Sequence, residues 1–311
     1  MAGQSLPDFE VWLFLLPPLR GGRRKTRAAL VHAARGGARG KIVDVFGFQK
    51  TDTMNTPIET HHARVEVDAQ GIATVTIAHA GALNLLGTPV IADVRLALER
   101  LAVQGDLRVV VLRGSGERAF VAGADIKEMA TLTPPAARAF IDGLRGLCEA
   151  VRLCPAPVIA RVPGWCLGGG LELAAVCDLR VASNRAQFGM PEVKVGIPSI
   201  IHAAVLPRLI GQARANWLLL TGQNIDAAQA LNWGLVDAVV PPERLDEEVA
   251  RLARHLAGLG PQALRQQKRL LREWQTRDLD TAIAQGVDEF AAAFATGEPA
   301  RFMAPYLKGQ D

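Results

Sequence analysis

The chain has 311 residues, 49% of them apolar and 21% charged, enough for a sizeable core in one large domain or two small ones, with the balance of a globular chain. Of the formal net charge of +4, residues 1–53 carry +5 (nine basic, four acidic) and the rest −1, so the body of the chain offers no basic stripe for nucleic acid. No apolar run reaches the length of a membrane span. Cys148, Cys154, Cys166 and Cys177 show no CxxC spacing. That argues against zinc or redox pairing and for a reduced, cytoplasmic setting.

Residues 1–53 form a class apart. VWLFLL (Val11 to Leu16) stops at Pro17-Pro18, and Arg20, Arg23, Arg24, Lys25 and Arg27 follow it, whereas a secretory signal carries its positive charge first. The segment is Arg-rich like a transit peptide but lacks the serines. It is expected to be a poorly ordered extension, or a wrongly assigned start with translation beginning at Met54. From Arg64 to Ala78, two alternating runs around Asp68-Ala69-Gln70-Gly71 predict a hairpin. A helix is expected over Val90–Ala102, a buried strand over Leu107–Gly114, a helix over Ala136–Cys154, a buried strand over Ala156–Val162, and a short strand over Leu179–Ser183. This rhythm predicts α/β layering. Beyond Ile201 the pattern is mainly helical. The expected division is an extension at 1–53, a core at 54–250 and a C-terminal helical region at 251–311.

Three segments could carry chemistry. Gly114 to Ala119 matches G-x-G-x-x-A after a strand, but no long helix opens there and no acidic residue ends a second strand about 20 residues on, so it reads as a polar turn rather than a dinucleotide site. AFVAGADIKEM (Ala119 to Met129) places Asp125 as an N-cap, with Glu128 as its capping-box partner. GWCLGGGLELAAVCD (Gly164 to Asp178) opens a helix straight after three glycines. The plainer account of Gly123 and Gly168–Gly170 is tight strand–helix packing. The functional one is a pair of bare turns whose N–H groups make an oxyanion hole. Glu172 stands in the first turn of the glycine helix among apolar neighbours, a costly place for a carboxyl without a partner or a task. Glu192 lies in QFGMPEVKVGIP. Two carboxyls near one oxyanion hole could handle protons at adjacent carbons, although their spacing does not establish that they meet.

In order and spacing, ALN (Ala82 to Asn84), AFVAGADIKEM, PGWCLGGGLELAAVCDLRVAS, FGMPEVKVGIP, LPRLIG, LTG and WGLVDAVVP resemble the crotonase, or enoyl-CoA hydratase/isomerase, family from about Arg64 to Lys308. The resemblance implies a spiral of ββα units with a C-terminal helical trimerisation region, an acyl-CoA thioester as substrate, a homotrimer or dimer of trimers, and no cofactor or metal beyond coenzyme A as part of the substrate. It implies that the amides of Ala124 and Gly169 hold the thioester oxygen, that Glu172 activates the water attacking C3, and that Glu192 gives a proton to C2. Gly81, Ala82, Leu83, Ala122, Gly123, Asp125, Ile126, Trp165 and Gly168 match positions expected along the CoA and substrate path. Lys268 or Lys308 could meet a CoA phosphate, though a solvated surface lysine is the plainer reading. The expected activity is 2-enoyl-CoA hydration. The alternatives are Δ3,Δ2-enoyl-CoA isomerisation or another lyase or hydrolase reaction, and, in a different class, non-catalytic acyl-CoA binding. The chain departs from the family pattern in three places. Ser199 to Ala204 replaces a glycine-rich GxGGT run, with His202 either a third acid/base group or a polar filler. Gly81 stands where a charged residue is usual. Trp165 and Cys166 precede the glycines, and Cys166 has nothing basic beside it to make it a nucleophile.

Overall fold

The computed structural model describes residues 58–307. The extension at 1–53, Met54 and Lys308 lie outside them. The first hairpin pairs β1 (Ala63–Val67) with β2 (Ile72–Ile77), antiparallel as expected. Next come α1 (Thr88–Ala102), β3 (Val109–Gly114), β4 (Ala119–Val121), α2 (Ile126–Met129) and α3 (Pro134–Leu153). β5 (Val158–Val162), β6 (Trp165–Leu167), α4 (Gly169–Ala175), β7 (Leu179–Ser183) and β8 (Gln187–Gly189) complete the repeating part. The chain continues through α5 (Leu206–Ile210), α6 (Gln212–Thr221), β9 (Ile225–Asp226), α7 (Ala227–Trp233) and β10 (Ala238–Val240). It ends with α8 (Leu245–Ala257), α9 (Pro261–Glu273), α10 (Leu279–Phe294) and α11 (Glu298–Leu307).

The strands form two sheets, ordered β1-β2-β3-β5-β7-β10 and β4-β6-β8-β9. Each turn of the chain gives one long strand to the first sheet and the next short strand to the second. Thus β3, β5 and β7 run parallel in one sheet while β4, β6 and β8 run parallel in the other. This is the expected ββα spiral. The long strands are buried on both faces, which is why they read as continuous apolar runs. Val110, Leu112, Val158 and Ala160 point into the main core with α1 and α3. The alternate residues Val109, Val111 and Ile159 meet Leu245, Val249 and Ala253 of α8. So α8 covers the outer face of the first sheet, and a boundary at 250 falls inside a helix that belongs to the core.

Two further details differ from expectation. Asp125 does cap α2, accepting Lys127 N–H at 2.9 Å. Glu128, however, accepts the N–H and hydroxyl of Thr88 at the start of α1 and makes no capping box with Asp125. Lys268 is neither solvated nor poised for phosphate. It is 8% exposed, pairs with Asp178 at 2.7 Å and donates to the carbonyls of Val151 and Ala156. The reason is its place on α9, whose inner side packs on the end of α3 where a charge needs a partner. Replacing Lys268 with Ala is expected to lower unfolding stability by about 3 kcal/mol in a urea titration, because Asp178 is left without its cation, while affinity for free CoA stays unchanged.

Candidate active site

The site is assembled where the two sheets meet at the start of α4. Gly168, its N-cap, has φ +52°, in the left-handed half of the map that side chains rarely adopt. A Cβ there would also lie 2.5 Å from Glu192 Oε1. At Gly170 a Cβ would lie 2.1 Å from the carbonyl oxygen of Val121 on β4, and at Gly169 it would lie 2.9 Å from Leu144 of α3. Gly168 is therefore needed for its backbone angle and Gly170 for its contact with main chain, while at Gly169 the end of a flexible leucine side chain can give, so the packing account holds for two of the three alongside the functional one. The close approach at Gly170 brings the turn after β4 next to the helix start. Ala124 and Gly169 then line one cavity of about 650 Å³. Gly169 is the first residue of its helix, so its N–H has no carbonyl one turn back. Ala124 N–H has no acceptor among the described residues.

Backbone pairing fixes the Ala124 turn. Ala122 N–H donates to Leu83, Leu86 N–H to Gly123, and Asp125 N–H to Leu86. Buried Asn84 anchors the strand of loop involved, donating to the carbonyls of Ser115 and Ala119 and accepting the Ser115 hydroxyl. Leu83, Ala122, Gly123 and Asp125 thus act through main chain. Ile126 lines the cavity itself. Gly81 and Ala82 line a separate, shallow pocket with His79 and the Ser115–Arg118 turn. Trp165 lines neither pocket. It is 39% exposed on the first position of β6, paired between Ala119 and Gln187, and only Cys166 of that strand turns into the core.

Both glutamates face the cavity. Glu172 is only 3% exposed. Burial pushes its carboxyl up to about 8, against the opposing effect of the Ala203 N–H it accepts at 2.8 Å and with a further push from the charge of Glu192. Glu192 sits in a short 3-10 turn (Pro191–Val195) and accepts the Ser199 hydroxyl at 2.8 Å. Most of the rest of the wall is apolar: Met129 of α2, Leu132 of the turn after it, Phe140, Ile141 and Leu144 of α3, and Ile197, Pro198 and Ile200 from the loop after Glu192, with Arg138 and Lys194 as the cations among the lining residues. One cavity thus brings together two backbone N–H groups without a partner among the described residues, two carboxyls and a largely apolar wall.

Sequence reasoning missed Ser199 and the Ala203 amide as partners of the glutamates, and the α3 wall. The amphipathic pattern of α3 held the only signal, since it shows a buried face without showing what that face encloses. His202 proves to be a filler. It is buried away from the cavity and donates Nε2–H to Glu149 at 2.8 Å, while Nδ1 finds no partner. Burial favours the neutral form of Glu149, but its hydrogen bonds from Arg152 and His202 outweigh that and hold it down at about 2. The four cysteines are buried and unpaired, and burial pushes the Cys166 thiol well up, away from nucleophilic use.

A family model described as enoyl-CoA hydratase/isomerase matches residues 68–307. The chain is 36% identical over 240 residues to the short-chain-enoyl-CoA hydratase of Clostridium acetobutylicum, covering 76% of this chain and 91% of that protein. It is 36% identical over 238 residues to the crotonyl-CoA hydratase of Syntrophomonas wolfei, covering 76% and 92%. Among solved structures, an enoyl-CoA hydratase from Bacillus anthracis superposes with a TM-score of 0.76 at 31% identity, covering 80% of this chain and 96% of that one.

The raised carboxyl of Glu172 has a consequence for stability. Its folded-state value of about 8 exceeds the ordinary 4.5, so its neutral burial favours the fold fully below 4.5 and this contribution is lost as pH rises through 8. Relative to the wild type, Glu172→Gln is expected to gain thermal midpoint steadily from pH 5 to pH 8.5, by differential scanning calorimetry. A constant difference across that range would contradict the assignment.

Proposed function

Because the chain belongs to the enoyl-CoA hydratase/isomerase family, we infer that it is an enoyl-CoA hydratase, adding water across the 2,3-double bond of a 2-enoyl-CoA thioester. The observation that carries the reading is the pair Glu172 and Glu192 on one cavity with the amides of Ala124 and Gly169. The thioester oxygen accepts from the two amides, which draws electron density out of the double bond and supports the enolate that forms. The water oxygen bonds to C3, one of its protons passes to a carboxyl, and the pair returns one proton to C2, so the proton count of the pair is unchanged over a turnover. Hydration is redox-neutral, and coenzyme A enters as part of the substrate. An isomerase moving a double bond from C3 to C2 needs only one carboxyl as a shuttle, so the second carboxyl favours hydration.

The resemblance casts Glu172 as base and Glu192 as acid. Burial favours the reverse in the free site, since a carboxyl raised to about 8 keeps its proton at neutral pH. Burial thus favours Glu172 as the carboxyl that holds the pair's proton in the free site. With crotonyl-CoA, the product is expected to gain the mass of one water, Glu192→Gln to abolish turnover while still binding the thioester, and kcat/KM to fall above about pH 8 as Glu172 loses its proton. A rise of kcat/KM through pH 8 would restore Glu172 as the base.

Assembly as a homotrimer, or a dimer of trimers, is supported by the exposed apolar stripe of α10: Leu279, Ile283, Val287, Phe290 and Phe294, the first at 73% exposure. Patches of this kind mark protein contacts. Four cysteines without a disulfide suit a reducing compartment such as the cytoplasm. Among the described residues no helix is long and apolar enough to cross a membrane. Sedimentation velocity is expected to give a trimer or hexamer, and Val287→Asp to break it into smaller species. A wild-type monomer across a wide concentration range would overturn the assembly.

A further inference from the structure

The five residues from Ser199 to Ala203 touch both carboxyls of the site. Ser199 Oγ–H donates to Glu192 Oε2 and Ala203 N–H donates to Glu172 Oε1, each at 2.8 Å. The segment is held at both ends. Before it, Ile197 N–H closes the loop onto the Glu192 carbonyl at 3.2 Å. Within it, His202 is tied to Glu149 on α3. Between these anchors Ile201 is forced to φ +48°, an outlier for a β-branched residue that surrounding structure must impose.

Glu192 is consequently gripped on two sides. Its Oε1 lies against the bare backbone of Gly168, and its Oε2 takes the Ser199 hydroxyl. Ser199 is half-buried and lines the same cavity as the carboxyl it serves.

We propose that Ser199 is a positioning residue for the reaction, its hydroxyl fixing the Glu192 carboxyl as a hydrogen-bond acceptor aimed into the cavity. The inference rests on the hydratase reading and gives the altered loop its task. Without the hydroxyl the carboxyl can turn about its last torsion, and the geometry for proton transfer is shared among several orientations.

Two assays test it on the full-length protein: hydration of crotonyl-CoA, and exchange of the C2 hydrogens of butanoyl-CoA with solvent D2O. Loss of this hydrogen bond is expected to lower kcat in Ser199→Ala by about tenfold, with KM changed less than about twofold and C2 exchange slowed like kcat. The thermal midpoint should stay put, and Ser199→Thr, which keeps the hydroxyl, should recover most of the rate. If the Ala variant folds poorly, Ser199→Gly is measured the same way. Full kcat and full exchange in Ser199→Ala, or no recovery with Thr, would overturn the proposal. A wild type that exchanges C2 hydrogens without hydrating crotonyl-CoA overturns the hydratase reading alone, and the Ser199 proposal is then judged on exchange. A wild type that does neither overturns both.

Discussion

The site depends on the contact between Gly170 and the carbonyl of Val121. With a side chain's first carbon at Gly170, β4 and the start of α4 could not stand where they do, because the new atom would fall 2.1 Å from that oxygen. Everything the cavity needs follows from the approach. The turn carrying Ala124 comes beside the free amide of Gly169, and Glu172, one turn of helix further, is carried to the cavity. Gly168 then leaves room for the carboxyl of Glu192. Backbone entropy makes three glycines in a row unfavourable, and the requirement for them lies in a left-handed backbone angle at Gly168 and a main-chain contact at Gly170.

Electrostatics works within that frame. Burial disfavours the charged form of the Glu172 carboxyl, and one amide hydrogen bond from Ala203 does not offset it. Glu192, placed on a short 3-10 turn with a hydroxyl for company, occupies a more polar setting. Two like residues thus stand in unlike surroundings on one cavity. The backbone donors add a third element that needs no titration, since an N–H cannot lose its role as pH changes.

The loop after Glu192 links these parts to the rest of the molecule. It reaches Glu192 through Ser199, Glu172 through Ala203 and α3 through His202. The Glu149–Arg152–His202 cluster, far from having a chemical role, keeps that loop from sliding. The fold thus places a half-buried polar cluster and a strained isoleucine beside the two carboxyls.

The long strands β2, β3, β5 and β7 and the helices α1 and α3 were legible by themselves, because the strands read as alternating or continuous apolar runs and the helices are long enough to show their period. The sequence alone also singled out the glycine triplet, Asp125 as a cap, and Glu172 as a misplaced carboxyl. The motif order pointed to the spiral that local patterning could not reveal, since β4, β6, β8 and β9 have two or three residues and no period can be read from so few. Only the tertiary structure decided which residues meet. It put Glu172 and Glu192 on one cavity across twenty positions of chain, sent Glu128 to α1 in place of its own helix, buried Lys268 against Asp178, and left Trp165 outside. The physical reason is common to all four: a side chain's partner is set by what packs across from it, and in a spiral of short units that neighbour comes from another turn of the chain.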